Sequence, residues 1–204
     1  KRKEMNSLKK ISGVVSVKEA NVYYLDMANA KDMTQVYTEW SNYGYKGEGT
    51  VVSIIDSGVD YTHKDMRAPQ DSSKNKLNES KVRELVKSGA LEAGQSWLDK
   101  TAVKGYYTDK VPFGFNYSDD NEQIIDIQYD ASMHGMHVAG IVAANASDED
   151  VKKMEGIQGV APEAQLLGMK VFSNGPRPSA YTDDVVAAIE DSVLLGADVI
   201  NMSL

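Results

Sequence analysis

No cysteine occurs in these 204 residues, so the fold gains no disulfide, the chemistry no thiolate nucleophile, and any bound metal no sulfur ligand. Coordination is left to Asp, Glu, His and backbone oxygen. The compartment stays open. Long apolar runs are lacking too: no stretch approaches the ~18 residues that would cross a bilayer, so no membrane insertion is expected of this chain. No charged-then-apolar leader opens it, and Lys1-Arg2-Lys3 reads as an internal starting point with any targeting signal upstream. Positive charge is also short. The 22 Lys and Arg face 30 Asp and Glu, a formal net charge of −8, and such an acidic field repels nucleic acid and anionic membrane surfaces. A polypeptide partner meets no such objection.

What is present is one core's worth of apolar residues, 42% of the chain, arranged in recognisable runs. Residues 50 to 55 form a near-continuous apolar stretch of strand length, the pattern of a central strand buried on both faces. Residues 165 to 172 and 198 to 204 repeat it. Between these lie helical patterns, from His134 to about Asn145 and from Asp183 to about Leu195. For the second, Thr182 is the expected cap, Asp183 and Asp184 suit the positive end, Gly196 is the expected stop, and Val185, Val186, Ile189 and Val193 form the expected buried stripe. Strands alternating with helices and no hairpin turns predict a three-layer α/β fold around a mainly parallel sheet.

Other segments read less regularly. Val14, Val15, Val17, Val22, Tyr23 and Tyr24 favour a strand pair between residues 11 and 25. Met33, Val36, Tyr37 and Trp40 recur at helical spacing behind Asp32, an expected N-cap, and Gly44, Gly47 and Gly49 turn the chain afterwards. Residues 66–130 are polar, carry both charge signs, and read as an insertion with a helix near residues 81–87. Its stretches Ser88-Gly89-Ala90 and Ala93-Gly94-Gln95-Ser96 look flexible and open to proteolytic nicking.

Asp56 ends the first buried run just before Ser57-Gly58, the carboxyl end where open α/β sheets place their ligand crevices. A turn aspartate bonding the next amides is the plainer reading. His134 begins a helix whose Gly135, Ala139, Gly140, Ala143 and Ala144 allow close packing against a sheet. The helix dipole disfavours a charged imidazole there, which suits a neutral general base, although a hydrogen-bonded core histidine is the commoner case. His137 follows three positions later, without the His-Glu-x-x-His arrangement of a zinc helix, and is read as structural. His63 is read as a turn residue. An α/β hydrolase would need Gly-x-Ser-x-Gly ahead of its acid and histidine, and both motif and order are missing.

Taken in order, Asp56-Ser57-Gly58-Val59-Asp60, His134-Gly135-Met136-His137-Val138-Ala139-Gly140-Ile141, Gly159-Val160-Ala161-Pro162 and Asp198-Val199-Ile200-Asn201-Met202-Ser203-Leu204 resemble consecutive blocks of the subtilisin-like serine proteases. Met136, where threonine is usual, together with the stretches 40–50 and 161–167, resembles the cell-envelope proteinases. Lactocepin, the C5a peptidases and the streptococcal chemokine-cleaving proteinases belong to that group, and this sequence resembles the last most.

The resemblance implies that Asp56 orients the imidazole and His134 exchanges a proton with a serine hydroxyl. The nucleophile is expected from a Gly-Thr-Ser segment beyond Leu204, on a complementary fragment, so this chain alone is expected to be inactive. Asn201 is not the family's oxyanion donor. Ser203 and Leu204 are expected to begin a substrate-binding strand facing residues 172–175, with Phe172 and Leu204 as walls of an apolar subsite. Residues 1–25 resemble a propeptide tail, released by a cut between residues 24 and 31, and residues 26–204 the N-terminal part of the catalytic domain. No cofactor is expected for catalysis. Structural calcium is compatible with Asp65, Asp148, Glu149 and Asp150, against the plainer reading of a solvated acidic loop. An extracellular, wall-associated location follows only from the resemblance. The rival reading is a catalytically dead binding module that keeps the cleft.

Overall fold

The computed structural model describes residues 7, 10–15, 17, 27–95, 103, 105–127, 133–176 and 179–204. Its centre is a four-stranded parallel sheet of order β2-β3-β1-β4, with β1 at Val51–Asp56, β2 at Phe113–Asn116, β3 at Gln165–Lys170 and β4 at Val199–Met202. Every residue of β1 and β3 is buried, as the continuous apolar runs predict. Strand periodicity then sorts the side chains. Val51 and Ile55 join Leu167, Met169, Phe113 and Phe115 on one face, while Val52 and Ile54 join Leu166 on the other.

The first face packs against α3 (Glu79–Ser88) and α6 (Thr182–Leu194), the second against α4 (His134–Ala143). This gives the three layers expected from the sequence. Helix α4 lies close because Gly135, Ala139, Gly140 and Ala143 are buried in its sheet-facing surface. Asn78 caps α3, its side chain accepting from Lys81 N, and the left-handed Gly89 ends it.

Several expectations change. The segment 66–130 holds β2, and Leu77, Val82, Leu91 and Ala93 enter the core, so this stretch completes the sheet and its cover. Four residues reading Phe-Gly-Phe-Asn behind a proline gave too short a signal among polar neighbours. Leu91 and Ala93 are buried, and Asp191 accepts from the amides of Glu92 and Ala93, so Ala93 is tied down within a stretch expected to be flexible, while residues 88–90 are exposed. Ser96 lies outside the described residues.

Helix α6 keeps part of its expected stripe, with Val185 and Ile189 partly buried against the core, and adds residues that were not expected. Ala188, Asp191 and Ser192 are buried, whereas Val186 and Val193 are exposed. The polar pair has specific partners: Asp191 accepts from Tyr117 Oη at 2.8 Å, and Ser192 Oγ meets Ser53 Oγ at 2.7 Å. Thr182 is the first helical residue, with Tyr181 at the cap position making no side-chain cap, while Gly196 does adopt the left-handed turn.

The helix expected to start at Asp32 is two helices, α1 (Met27–Met33) and α2 (Val36–Tyr43), broken by Gln35 in the left-handed region. Lys31 is buried there, its Nζ lying over the rings of Tyr37 and Trp40 and donating to Gln158 O at 2.9 Å. Of the strand pair expected between residues 11 and 25, residues 16 and 18–25 lie outside the described residues, and residues 10–13 form turns and bends. A short helix, α5 (Asp148–Lys152), follows α4.

Candidate functional site

Strand parity decides where the Asp56 carboxylate points. Asp56 shares its face with Val52 and Ile54, the face on which α4 lies, so the last residue of β1 meets the first residue of α4. The two are 78 positions apart in sequence, yet His134 Nδ1 lies 2.9 Å from Asp56 Oδ1 and 3.1 Å from Oδ2. Asp56 is 1% exposed and the imidazole 52% exposed, a buried acid beneath an accessible ring. An ionised carboxylate only accepts hydrogen bonds, so Nδ1 carries the proton and Nε2 is the basic nitrogen.

Backbone contact holds this approach. A Cβ on Gly135 would stand 2.5 Å from Gly58 O and 3.0 Å from Asp56 Cβ, so only glycine lets the helix come this near. Gly58, at φ +132°, is likewise wedged against Ile124 O. Between them Ser57 links both partners: its N–H donates to Asp56 Oδ1 at 2.7 Å, and its Oγ accepts from Gly135 N at 3.0 Å. Met133, just before the ring, is in the left-handed region at φ 53°. Such a non-glycine conformation persists only where surrounding contacts over-determine it.

Sheet register gathers the remaining candidates at the same edge. β3 and β4 flank β1, and Ile55 pairs with Met202 and Asp56 with Lys170, so Phe172 on one side and Ser203 and Leu204 on the other follow carboxyl ends adjacent to Asp56. Phe172 is partly buried against the core, while Ser203 and Leu204 are exposed, Ser203 Oγ donating to Asn201 Oδ1 at 3.0 Å. His63 has the turn role read for it, its Nδ1 accepting from Asp65 N at 3.1 Å. His137 is exposed on α4.

The acidic residues considered for calcium carry hydrogen bonds of their own. Asp65 accepts from Lys64 Nζ and Ile157 N, and Asp150 from Ser147 Oγ and Arg67. Among the described residues no group of three or more His, Asp or Glu is placed together in the manner of a metal-binding cluster.

Two participants escaped the sequence reading. They are Ser57, directly after β1, and Lys170, inside the apolar run 165–172. Lys170 is fully buried and donates from Nζ to Ser57 O. Burial lowers its pKa from the ordinary lysine value, while Asp126, Asp119 and Asp56 pull the other way. A lysine within an apolar strand is an anomaly the sequence does show, since so long a charged side chain is rarely fully buried unless paired.

With this geometry in place, the comparisons with known proteins are decisive. The sequence pattern of the Subtilase family matches residues 47–204. The chain belongs to the subtilases. It is 49% identical over 202 residues to the PI-type proteinase of Lactococcus lactis subsp. cremoris, covering 98% of this chain and 10% of that protein. The PII-type proteinase of Lacticaseibacillus paracasei is 49% identical over 203 residues, with the same coverage. The C5a peptidase of Streptococcus pyogenes serotype M18 is 35% identical over 173 residues, covering 84% of this chain and 13% of that one. This subtilase chain therefore spans about a tenth of the length of these relatives. Among solved structures, the CspB protease of Clostridium perfringens matches 86% of this chain and 33% of its own at 22% identity and a TM-score of 0.47.

Proposed function

We propose that this chain forms the N-terminal part of the catalytic domain of a serine endopeptidase, with Asp56 and His134 as two members of an Asp-His-Ser triad. The serine comes from sequence outside these 204 residues. The observation that supports this reading is the contact of His134 Nδ1 with both oxygens of a buried carboxylate at the carboxyl end of a central strand. Family membership and the proteinase relatives support the reaction class.

In the first half-reaction Nε2 takes the proton of the serine hydroxyl as its oxygen attacks the peptide carbonyl, and Asp56 stabilises the imidazolium that forms. The same nitrogen then gives the proton to the leaving amine, and the acyl-enzyme remains. Water, deprotonated by the same nitrogen, completes hydrolysis. The exposed imidazole face suits this work because the proton partner must approach from solvent.

The substrate is an extended polypeptide that adds a strand along residues 203–204, with Phe172 and Leu204 bordering an apolar subsite. Extracellular proteins of the chemokine type are the proposed targets, in keeping with an enzyme held at the cell envelope. Residues 1–25 act as a propeptide tail. Treating the whole polypeptide with a fluorophosphonate probe should label one serine outside this chain, and His134→Ala should abolish that labelling. Labelling of Ser203, or none in folded wild-type protein, would sink the assignment, and the second result would favour a binding module.

A further inference from the structure

The mechanism above uses Asp56 and His134 but leaves a buried charge beside them unexplained. With a neutral imidazole the pair carries one negative charge at a position 1% exposed, where an uncompensated charge is costly. Parallel register sets Lys170 directly against Asp56, and strand parity turns it to the same face, since Leu166 on that strand packs with Val52 and Ile54. Its Nζ reaches Ser57 O. Ser57 N–H in turn donates to Asp56 Oδ1, and Ser57 Oγ receives the amide of Gly135, the residue after His134.

We propose that Lys170 is the buried countercharge of the Asp56–His134 pair, a positioning residue that sets the proton affinity of His134 across Asp56 and the Ser57 turn. It rests on the protease reading for its functional meaning. The charged groups facing Lys170 are Asp56 from β1, with Asp119 and Asp126 from the segment after β2. Asp119 is committed elsewhere, accepting from Ser173 Oγ, Asn174 N and Asn116 Nδ2. Asp126 is not. It is 7% exposed, and its Oδ1 is buried with no hydrogen-bond partner. Asp56 and Asp126 thus both act on the Lys170 charge, and removing either charged neighbour of the pair must move the imidazole in a known direction.

The test is the titration of His134 in the whole polypeptide by histidine-selective nitrogen-15 NMR, assigned by loss of the signal in His134→Ala, alongside the pH profile of kcat/KM. Lys170→Gln deletes a positive charge and should raise the ring pKa and the acid limb of the profile, by about half a unit or more. KM should stay as it was. Asp126→Asn deletes a negative charge and should lower both, by a similar amount.

A role that was merely structural would shift neither ring in a folded variant, and unmoved or same-direction shifts overturn the proposal. If Lys170→Gln fails to fold, the sign of the Asp126→Asn shift decides alone. The ring titration reads charge coupling whether or not peptides are cut, so opposite shifts without hydrolysis would sink the protease reading and uphold this one.

Discussion

Two fully buried lysines stand at opposite ends of the same sheet, and their surroundings differ. Lys110 lies at the amino ends of the strands, donating to Pro162 O and Ala164 O at 2.6 Å each, with Glu163 as its acidic influence. Desolvation dominates there and pushes its pKa down to about 7. Lys170 lies at the carboxyl ends among three carboxylates. The residue type and the burial are the same, so the lesson lies in the neighbours: carbonyl dipoles hold an ammonium in place, while carboxylates give its charge something to act on. Desolvation is the largest influence at both ends, but one carboxylate opposes it at the amino end and three at the carboxyl end.

The sharpest way to break that contrast is at the carboxyl end. His134→Ala should lower peptidase activity of the whole protein by about 10⁴-fold or more, a scale set by the subtilisin triad rather than by this geometry, with little change in melting temperature. A large melting shift would mean that the ring is part of the core. Gly135→Ala should affect both stability and chemistry, because the new methyl lands 2.5 Å from Gly58 O. We expect a loss of about 1–3 kcal/mol in urea unfolding and weaker activity as α4 is pushed from Asp56. Unchanged stability would show that the helix can give way.

The amino end should respond to pH instead. The folded pKa of Lys110 lies below the unfolded value of 10.5, so between pH about 7 and 10 the unfolded chain binds the extra proton and stability rises with pH. The limiting slope for one group is about 1.4 kcal/mol per unit. Lys110→Met should flatten the slope measured by urea unfolding at successive pH values and leave the acid limb of activity in place. A slope unaltered by the substitution would remove the distinction between the two lysines. The smallest effect belongs to neither end: Asn78→Ala removes the cap of α3 and should cost about 1 kcal/mol in the same unfolding assay, without touching kinetics.

Much of this was legible in the residues. β1 and β3 announce themselves as unbroken apolar runs because both their faces are covered, and α4 as a stripe of small residues because it must come close. β2 did not, since four residues behind a proline carry too little pattern. The inward face of α6 was read only in part, correctly at Val185 and Ile189, because Asp191 and Ser192 occupy the rest of it. Their burial depends on Tyr117, Ser53 and the amides of residues 92 and 93, partners far away in sequence. Gln35 broke a helix that periodicity drew as continuous, and Lys31 went inward because two aromatic rings received it.

The sequence by itself determined the family, the parallel α/β class, and the pairing of an acid at a strand end with a histidine at a helix start. Each of these is written in short local patterns of hydrophobicity and residue size. Only the tertiary structure decided that the two side chains meet on one face of the sheet, that Ser57 joins their backbones, and that Lys170 lies beneath them. Register and parity bring such groups together, and both arise when separate strands pair, a step to which no single segment holds the information.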